Sequence, residues 1–313
     1  MPVLLPPLFL ARLGAIITTS DSSLTALFKE KKFFSVRVNT LKMALPEAVA
    51  YLQARGLTPV LPAGLGAAAL LFPQDQREAV LRLELTTAGG FYPQSLSSQW
   101  VPIVLDPQPG ERVLDLCAAP GSKTTQMAAL MQNQGEIVAV EAVKGRFYRL
   151  KSVVSLLGAS IVACRMMDGR RWRSPDLFDR ILVDAPCGSE GRFDLADPET
   201  WRYWSLRKIR EMQRKQKGLL LNAGRMLKPG GILVYSTCTF APEENEAVVD
   251  WFLRKTAAAF DIENISVPPE IKTYPGLQAW EGRAYDGRVA RCCRILPDER
   301  REGFFIARLR RLE

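Results

Sequence analysis

No histidine occurs anywhere in the 313 residues. That absence excludes Ser-His-Asp and Cys-His relays and nearly all zinc chemistry, so any nucleophile here is activated without imidazole. The six cysteines contain no Cys-x-x-Cys pair. A chain of this length needs no disulfide framework, and reduced thiols are expected. Long apolar runs are also lacking. Met1 to Leu10 is apolar but has no basic start and is broken by Pro2, Pro6 and Pro7, which makes it too short to span a bilayer and a poor signal peptide. A cytoplasmic chain without a membrane contact is expected. A Gly-x-x-x-x-Gly-Lys-[Ser/Thr] spacing is missing as well, which disfavours a phosphate-cradling P-loop. Internal repeats and low-complexity tracts are absent.

The composition that is present is that of a globular chain, 47% hydrophobic with mean hydropathy near zero. Its length suggests two domains. Forty-two basic residues against 33 acidic ones give a formal charge of +9, and nucleic acid is the commonest partner of such a surface.

From about residue 111 to 240 strand-like runs alternate with helical stretches, the pattern of a doubly wound, mostly parallel sheet. The expected strands are 112–116, 136–141, 159–165, 180–184 and 231–236. A long basic helix is expected over 205–227, stopped by the turn signal Lys228-Pro229-Gly230-Gly231. Before residue 100 the pattern changes to a strand at 34–39, a short amphipathic helix at 46–55 and further short strands, which reads as a small α+β domain. The expected division is 1–100 and 101–313. Cys292 to Leu309 reads as two strands joined by a polar turn at 297–303.

Asp115-Leu116-Cys117-Ala118-Ala119-Pro120-Gly121-Ser122-Lys123 joins the first of the parallel strands to the next helix. Small residues and Gly121 let backbone approach a ligand at the open strand end. Glu141 ends the second strand, where a carboxylate accepts from ribose hydroxyls, and Asp168 follows the third, within reach of an adenine amino group. Together the three favour an adenosine-bearing ligand. Asp184-Ala185-Pro186-Cys187 and Ser236-Thr237-Cys238-Thr239 follow the next two strands. A buried cysteine is usually an inert small hydrophobe, but two at matching strand ends, one beside a carboxylate, point to chemistry. Lys123 or local backbone dipoles are the expected aids to thiol ionisation. In the segment from Trp201 to Lys217 basic residues interleave with aromatics. Either these stack on unpaired RNA and contact its phosphates, or Trp201 and Trp204 lie in the core beneath a solvated face.

These motifs, with Arg37 to Lys42, Gln94 to Ser98, Pro242 to Glu246 and Gly303 to Ala307, resemble the Sun/Nop family of RNA (cytosine-5)-methyltransferases over residues 36 to 309. The resemblance implies a Rossmann-like class I methyltransferase fold with a small RNA-recognition-like domain before it. It assigns S-adenosylmethionine contacts to Cys117, Ala118, Ala119, Pro120, Gly121, Ser122, Lys123, Glu141, Arg146, Asp168 and Asp184. Cys238 is implied as the nucleophile on cytosine carbon 6, with Cys187 assisting product release and Asp184 and Lys123 completing the catalytic set. The expected partner is rRNA or tRNA, with no metal and a monomeric chain. A DNA cytosine-5 methyltransferase, in which the thiol after proline, Cys187, would attack, and a non-catalytic RNA-binding assembly factor remain as alternatives. Glu190, a departure from the family pattern, is expected to alter substrate contacts.

Overall fold

A computed structural model describes residues 5–17, 21–28, 32–62, 68–257, 259–268 and 270–312. The chain opens with α1 (Pro7–Ile17) and α2 (Asp21–Ala26). The apolar run read at the N-terminus is thus partly helical, and α1 buries Phe9, Leu13, Ile16 and Ile17. Its partners come from far along the chain: Phe9 meets Phe193 with ring centroids 4.9 Å apart, and Phe28, just after α2, meets Phe240 at 6.2 Å. Residues 5–17 and 24–28 therefore pack behind the 187–193 and 238–241 loops and not on the small sheet that follows them in sequence.

That sheet is formed by β1 (Phe33–Val38), β2 (Ala69–Pro73) and β3 (Phe91–Pro93), antiparallel in the order β2-β1-β3. The helices α3 (Leu45–Gln53), α4 (Arg77–Leu81) and α5 (Glu84–Thr87) connect them. Val36, Val38, Leu52, Leu70, Phe72 and Phe91 form a separate apolar core. Buried polar side chains fasten this unit to the larger one. Arg37 donates to Gln94 Oε1 and Thr125 Oγ1, each at 3.0 Å, and Asn39 donates to Leu157 O at 2.8 Å.

After α6 (Leu96–Leu105) come β4 (Arg112–Asp115), α7 (Ser122–Leu130), β5 (Glu136–Glu141), α8 (Lys144–Leu157), β6 (Val162–Met166) and β7 (Phe178–Asp184). These lead to α9 (Leu206–Met226), β8 (Leu227–Thr237), α10 (Glu246–Lys255) and β9 (Phe260–Glu263). The chain ends with β10 (Thr273–Pro275), the two-residue strands β11 (Ala279–Trp280) and β12 (Arg283–Ala284), then β13 (Cys293–Ile295) and β14 (Phe304–Arg311). The large sheet runs β10-β13-β14-β8-β7-β4-β5-β6, with β9 also on β14. From β8 to β6 every pairing is parallel, and β14 closes on β8 antiparallel. The expected doubly wound, mostly parallel sheet is present.

Successive strand residues serve opposite faces. Leu114, Ile181 and Val183 face α9 and α10, while Val113, Leu182 and Val234 face α6 and α7. The α9 helix starts where Ser205 Oγ accepts from Lys208 N at 3.2 Å, an N-cap. It buries Ile209, Met212, Gln216, Leu219, Ala223 and Met226 at helical spacing. Its end differs from the sequence reading. The strand β8 begins at once at Leu227, and Lys228 to Gly231 form a bulge inside its pairing with β7, with Gly230 at φ +74°. The third parallel strand begins later than read, at Val162, because Gly158, at φ +68°, ends α8 and Ala159 to Ile161 complete the turn.

Candidate active site

In the parallel sheet β4 is the switch point: the chain proceeds to β5 and β6 on one side and to β7 and β8 on the other. Crevices outside the carboxyl ends of such strands are where this architecture takes ligands. A cavity of about 700 Å³ lies there, lined by residues 115–120, 122 and 123, Glu141, Arg146, Asp168, Asp184, Cys187 and Cys238, with Gly121 of the same loop outside the lining. Gly121, at φ +109°, caps α7, and a Cβ on it would meet Leu150 and Val153 at 3.1 Å. The loop backbone thus packs on α8 with its other side turned to the cavity.

The structure brings most of the expected residues to this cavity, each with definite partners. Asp115 is 1% exposed and accepts from Thr124 Oγ1 at 2.7 Å through Oδ2, while Oδ1 has no partner. Burial pushes its carboxyl up to about 7. Glu141 is buried at the end of β5, accepts from Val143 N at 2.8 Å and faces Arg146 at 3.6 Å. Asp168 lies on the rim, where both its oxygens are engaged by Arg170 at 3.0 and 2.5 Å, a pairing that holds its carboxyl below the usual range. Cys117 is half-buried, and desolvation first, then the carboxylates around it, drive its thiol upward, so it is a poor nucleophile.

The two strand-end thiols meet. Asp184 pairs in register with Ser236, so Cys187 and Cys238 emerge side by side, Sγ to Sγ 3.4 Å. Asp184 Oδ1 accepts from Ser236 Oγ at 2.8 Å and Oδ2 from Lys123 Nζ at 2.7 Å. Lys123 is therefore committed to Asp184. The hydrogen bond from Cys187 lowers the Cys238 thiol, burial opposes it, and the charge of Arg192 adds to the lowering. The same hydrogen bond, with burial, pushes Cys187 well up.

Two buried carboxylates brace the thiol loops, and neither brace was read from the sequence. Glu190, 2% exposed, accepts from Trp204 Nε1 at 2.7 Å, Thr239 Oγ1 at 2.8 Å and Phe240 N at 2.9 Å. It points inward and ties down the loop carrying Cys238, so the alteration of substrate contacts expected of it would act through that loop. Glu244 accepts from Gly188 N at 3.0 Å and Gln216 Nε2 at 2.7 Å, and so holds the loop carrying Cys187. A carboxylate in a sequence carries no sign of whether it is buried, and only the Pro242 to Glu246 stretch hinted at Glu244. Arg192, Glu302 and Phe304 also line the cavity without having been singled out as site residues. Trp201 and Trp204 pack into the apolar cluster around Phe9 and Phe193, leaving Tyr203, 76% exposed, as the free aromatic of that segment.

Among the described residues no helix is long and apolar enough to cross a membrane, and no group of three or more Cys, Asp or Glu could hold a metal ion. The sequence is 41% identical over 283 residues to a tRNA (cytosine(49)-C(5))-methyltransferase of Pyrococcus abyssi, covering 88% of each chain. It is 36% identical over 318 residues to the ribosomal RNA small subunit methyltransferase F of Aeromonas hydrophila, covering 98% of this chain and 64% of that one. The fold superposes on a solved methyltransferase homologue from Pyrococcus horikoshii with a TM-score of 0.79 and 29% identity, over 98% of this chain and 100% of that one. The profile described as 16S rRNA methyltransferase RsmB/F matches residues 102–310, which contain the whole cavity apart from its Tyr92 to Ser98 edge. Doubly wound sheet, strand-end thiols and profile agree: the chain is a class I methyltransferase that belongs to the RsmB/F (Sun/Nop) family.

Proposed function

We propose that the chain methylates carbon 5 of cytosine in tRNA or rRNA, using S-adenosylmethionine, through a covalent adduct between Cys238 and cytosine carbon 6. The observation that carries this reading is the thiol pair at 3.4 Å beside the Lys123–Asp184 ion pair, at the mouth of the ligand cavity. The alternative of a non-catalytic assembly factor has no need for such a pair.

The cavity suits the cofactor. The unpaired, buried Asp115 Oδ1 offers an acceptor to a cationic group, residues 117–120, 122 and 123 border the space, and Glu141 stands where ribose hydroxyls would donate. Arg170 holds Asp168, so the adenine contact assigned to Asp168 requires that pair to be shared. When bound, S-adenosylmethionine supplies an electrophilic methyl group.

The protein's own side chains supply the rest. Carbon 5 of cytosine is a weak nucleophile, and addition of the Cys238 thiolate to carbon 6 makes it enamine-like. Asp184, fixed by Lys123 and Ser236, stabilises the added state near ring nitrogen 3 and the exocyclic amine. Once Cys238 is bonded to carbon its anionic charge is gone, and with it a main cause that raises Cys187. Cys187 can then release its own proton to solvent and, as the thiolate, take the carbon 5 proton as the bond to Cys238 breaks. The two thiols thus act in order, and the charge of Arg192, which bears on Cys238, favours Cys238 as the first. This ranking disfavours the DNA-methyltransferase reading, in which Cys187 attacks. The target base leaves its stack to reach the cavity.

Incubating the protein with labelled S-adenosylmethionine and unmodified tRNA or rRNA, then digesting to nucleosides, should yield 5-methylcytidine. Label appearing at another position, or none, overturns the reading. The exposed cations of α9, including Lys208 and Arg214, supply phosphate contacts. Reversing both charges should weaken filter binding of RNA and reduce its salt dependence by about two counterions, with cofactor affinity unchanged.

A further inference from the structure

We infer that Arg192, held by Glu302, is the positioning residue that favours the ionised form of Cys238 in place of the histidine this chain lacks. The inference rests on the reading of Cys238 as the nucleophile.

Five cations line the cavity among the described residues, and four are engaged at close range. Lys123 is 2.7 Å from Asp184, Arg146 donates to Ala119 O at 2.7 Å, Arg170 is 2.5 Å from Asp168, and Lys215 is 2.7 Å from Glu211. Arg192 differs, for its ion pair with Glu302 is long, at 3.8 Å. Like Arg146, 3.6 Å from Glu141, it meets its carboxylate at long range, but it alone of the two lies beside Cys238.

The backbone places it beside the thiol. Gly191 N donates to Cys238 O at 2.9 Å, and Gly303 N donates to Gly191 O at 3.0 Å. A Cβ on Gly191 would fall 2.2 Å from Gly303 O, so the two glycine backbones are in direct contact. Arg192 and Glu302 are the residues next to these glycines, and both face the cavity. Ser97 Oγ donates to Glu302 O at 2.7 Å and fixes that side of the clasp. The turn from Glu190 to Arg192 thus does two things: Glu190 anchors Thr239 and Phe240, and Arg192 sets the charge at Cys238.

The groups facing Cys238 are Cys187 and Asp184 from the end of β7, Lys123 from α7, Arg192 from the turn, Glu302 from the β13–β14 hairpin, and Glu244 before α10. Asp184 and Glu302 disfavour the thiolate, while Arg192 favours it. The Arg192 guanidinium is itself held above its ordinary value by Glu302 first, then by the two thiols.

The test is the pH profile of iodoacetamide alkylation at Cys238, read by peptide mass spectrometry, which needs neither RNA nor turnover. Arg192→Gln should move the alkylation midpoint up by about 1 pH unit, and Arg192→Lys should restore most of it. Glu302→Gln should move it down, a shift that loss of structure would not produce. An unmoved midpoint in Arg192→Gln with normal cofactor affinity overturns the inference, as does an upward shift in Glu302→Gln. The reading beneath it fails separately, if Cys238→Ala still forms 5-methylcytidine.

Discussion

The loops after β7 and β8 are built alike and used differently. Each ends a parallel strand, each carries a partly buried thiol, and each is braced by a buried carboxylate belonging to the other: Glu190 follows Cys187 and holds the Cys238 loop, while Glu244 follows Cys238 and holds the Cys187 loop. Yet the thiols are pushed in opposite directions, Cys238 down and Cys187 up. Two cysteines of equal local appearance thus differ in the charges and hydrogen bonds around them, which is the basis of the roles proposed for them.

Replacing each thiol in turn gives the largest effects. Cys238→Ala should lower turnover on the order of 10⁴-fold or more and form no adduct. Cys187→Ala should still attack and methylate but fail to release product. A denaturation-resistant protein–RNA complex then accumulates on a gel, and only with both S-adenosylmethionine and RNA present. The double variant should lose that complex. A trapped species with Cys238→Ala and none with Cys187→Ala reverses the assignment.

The braces can be compared by stability. Glu190→Ala leaves the Trp204 indole, the Thr239 hydroxyl and the Phe240 amide without their acceptor and should cost about 3 kcal/mol in urea unfolding. Glu244→Ala strands the Gly188 amide and one Gln216 donor and should cost about 2 kcal/mol. A larger loss from Glu244→Ala would show that the Cys187 loop is the more tightly held.

Asp115 extends the contrast to a carboxyl whose burial outweighs the relief given by Thr124 and the charge of Lys123. With its carboxyl raised to about 7, the folded state binds a proton that the unfolded chain releases near pH 4, so this group's contribution to stability declines as pH rises through that window. Asp115→Asn should flatten the decline, gaining about 2 kcal/mol relative to the parent between pH 5 and pH 8. Equal pH slopes in the two proteins would mean that Asp115 is ionised throughout. The smallest effect is one of selectivity. Limited alkylation at pH 8 should label Cys238 several-fold faster than Cys187, because the thiolate is the reacting form. Faster labelling of Cys187 would remove the ranking of the two thiols.

Much of this was legible locally. Apolar runs of the right length announce parallel strands, Gly121 and its small neighbours announce a close backbone approach, and Asp184 and Ser236 close their strands at one level. These are matters of period and turn chemistry, which a few adjacent residues carry. The helix of residues 206–226 was legible for the same reason, through Ser205 and its apolar spacing. What only the tertiary structure decided is which polar groups meet. Glu190 turns inward, Lys123 is taken by Asp184, Arg192 is brought to Glu302 across 110 positions of sequence, and Trp201 and Trp204 join the core laid down by α1. Burial makes a partner obligatory for such groups, but the choice of partner depends on chain segments far apart in sequence arriving at one place. For this reason the sequence alone could present two cysteines as equals, and the packing around them sets them apart.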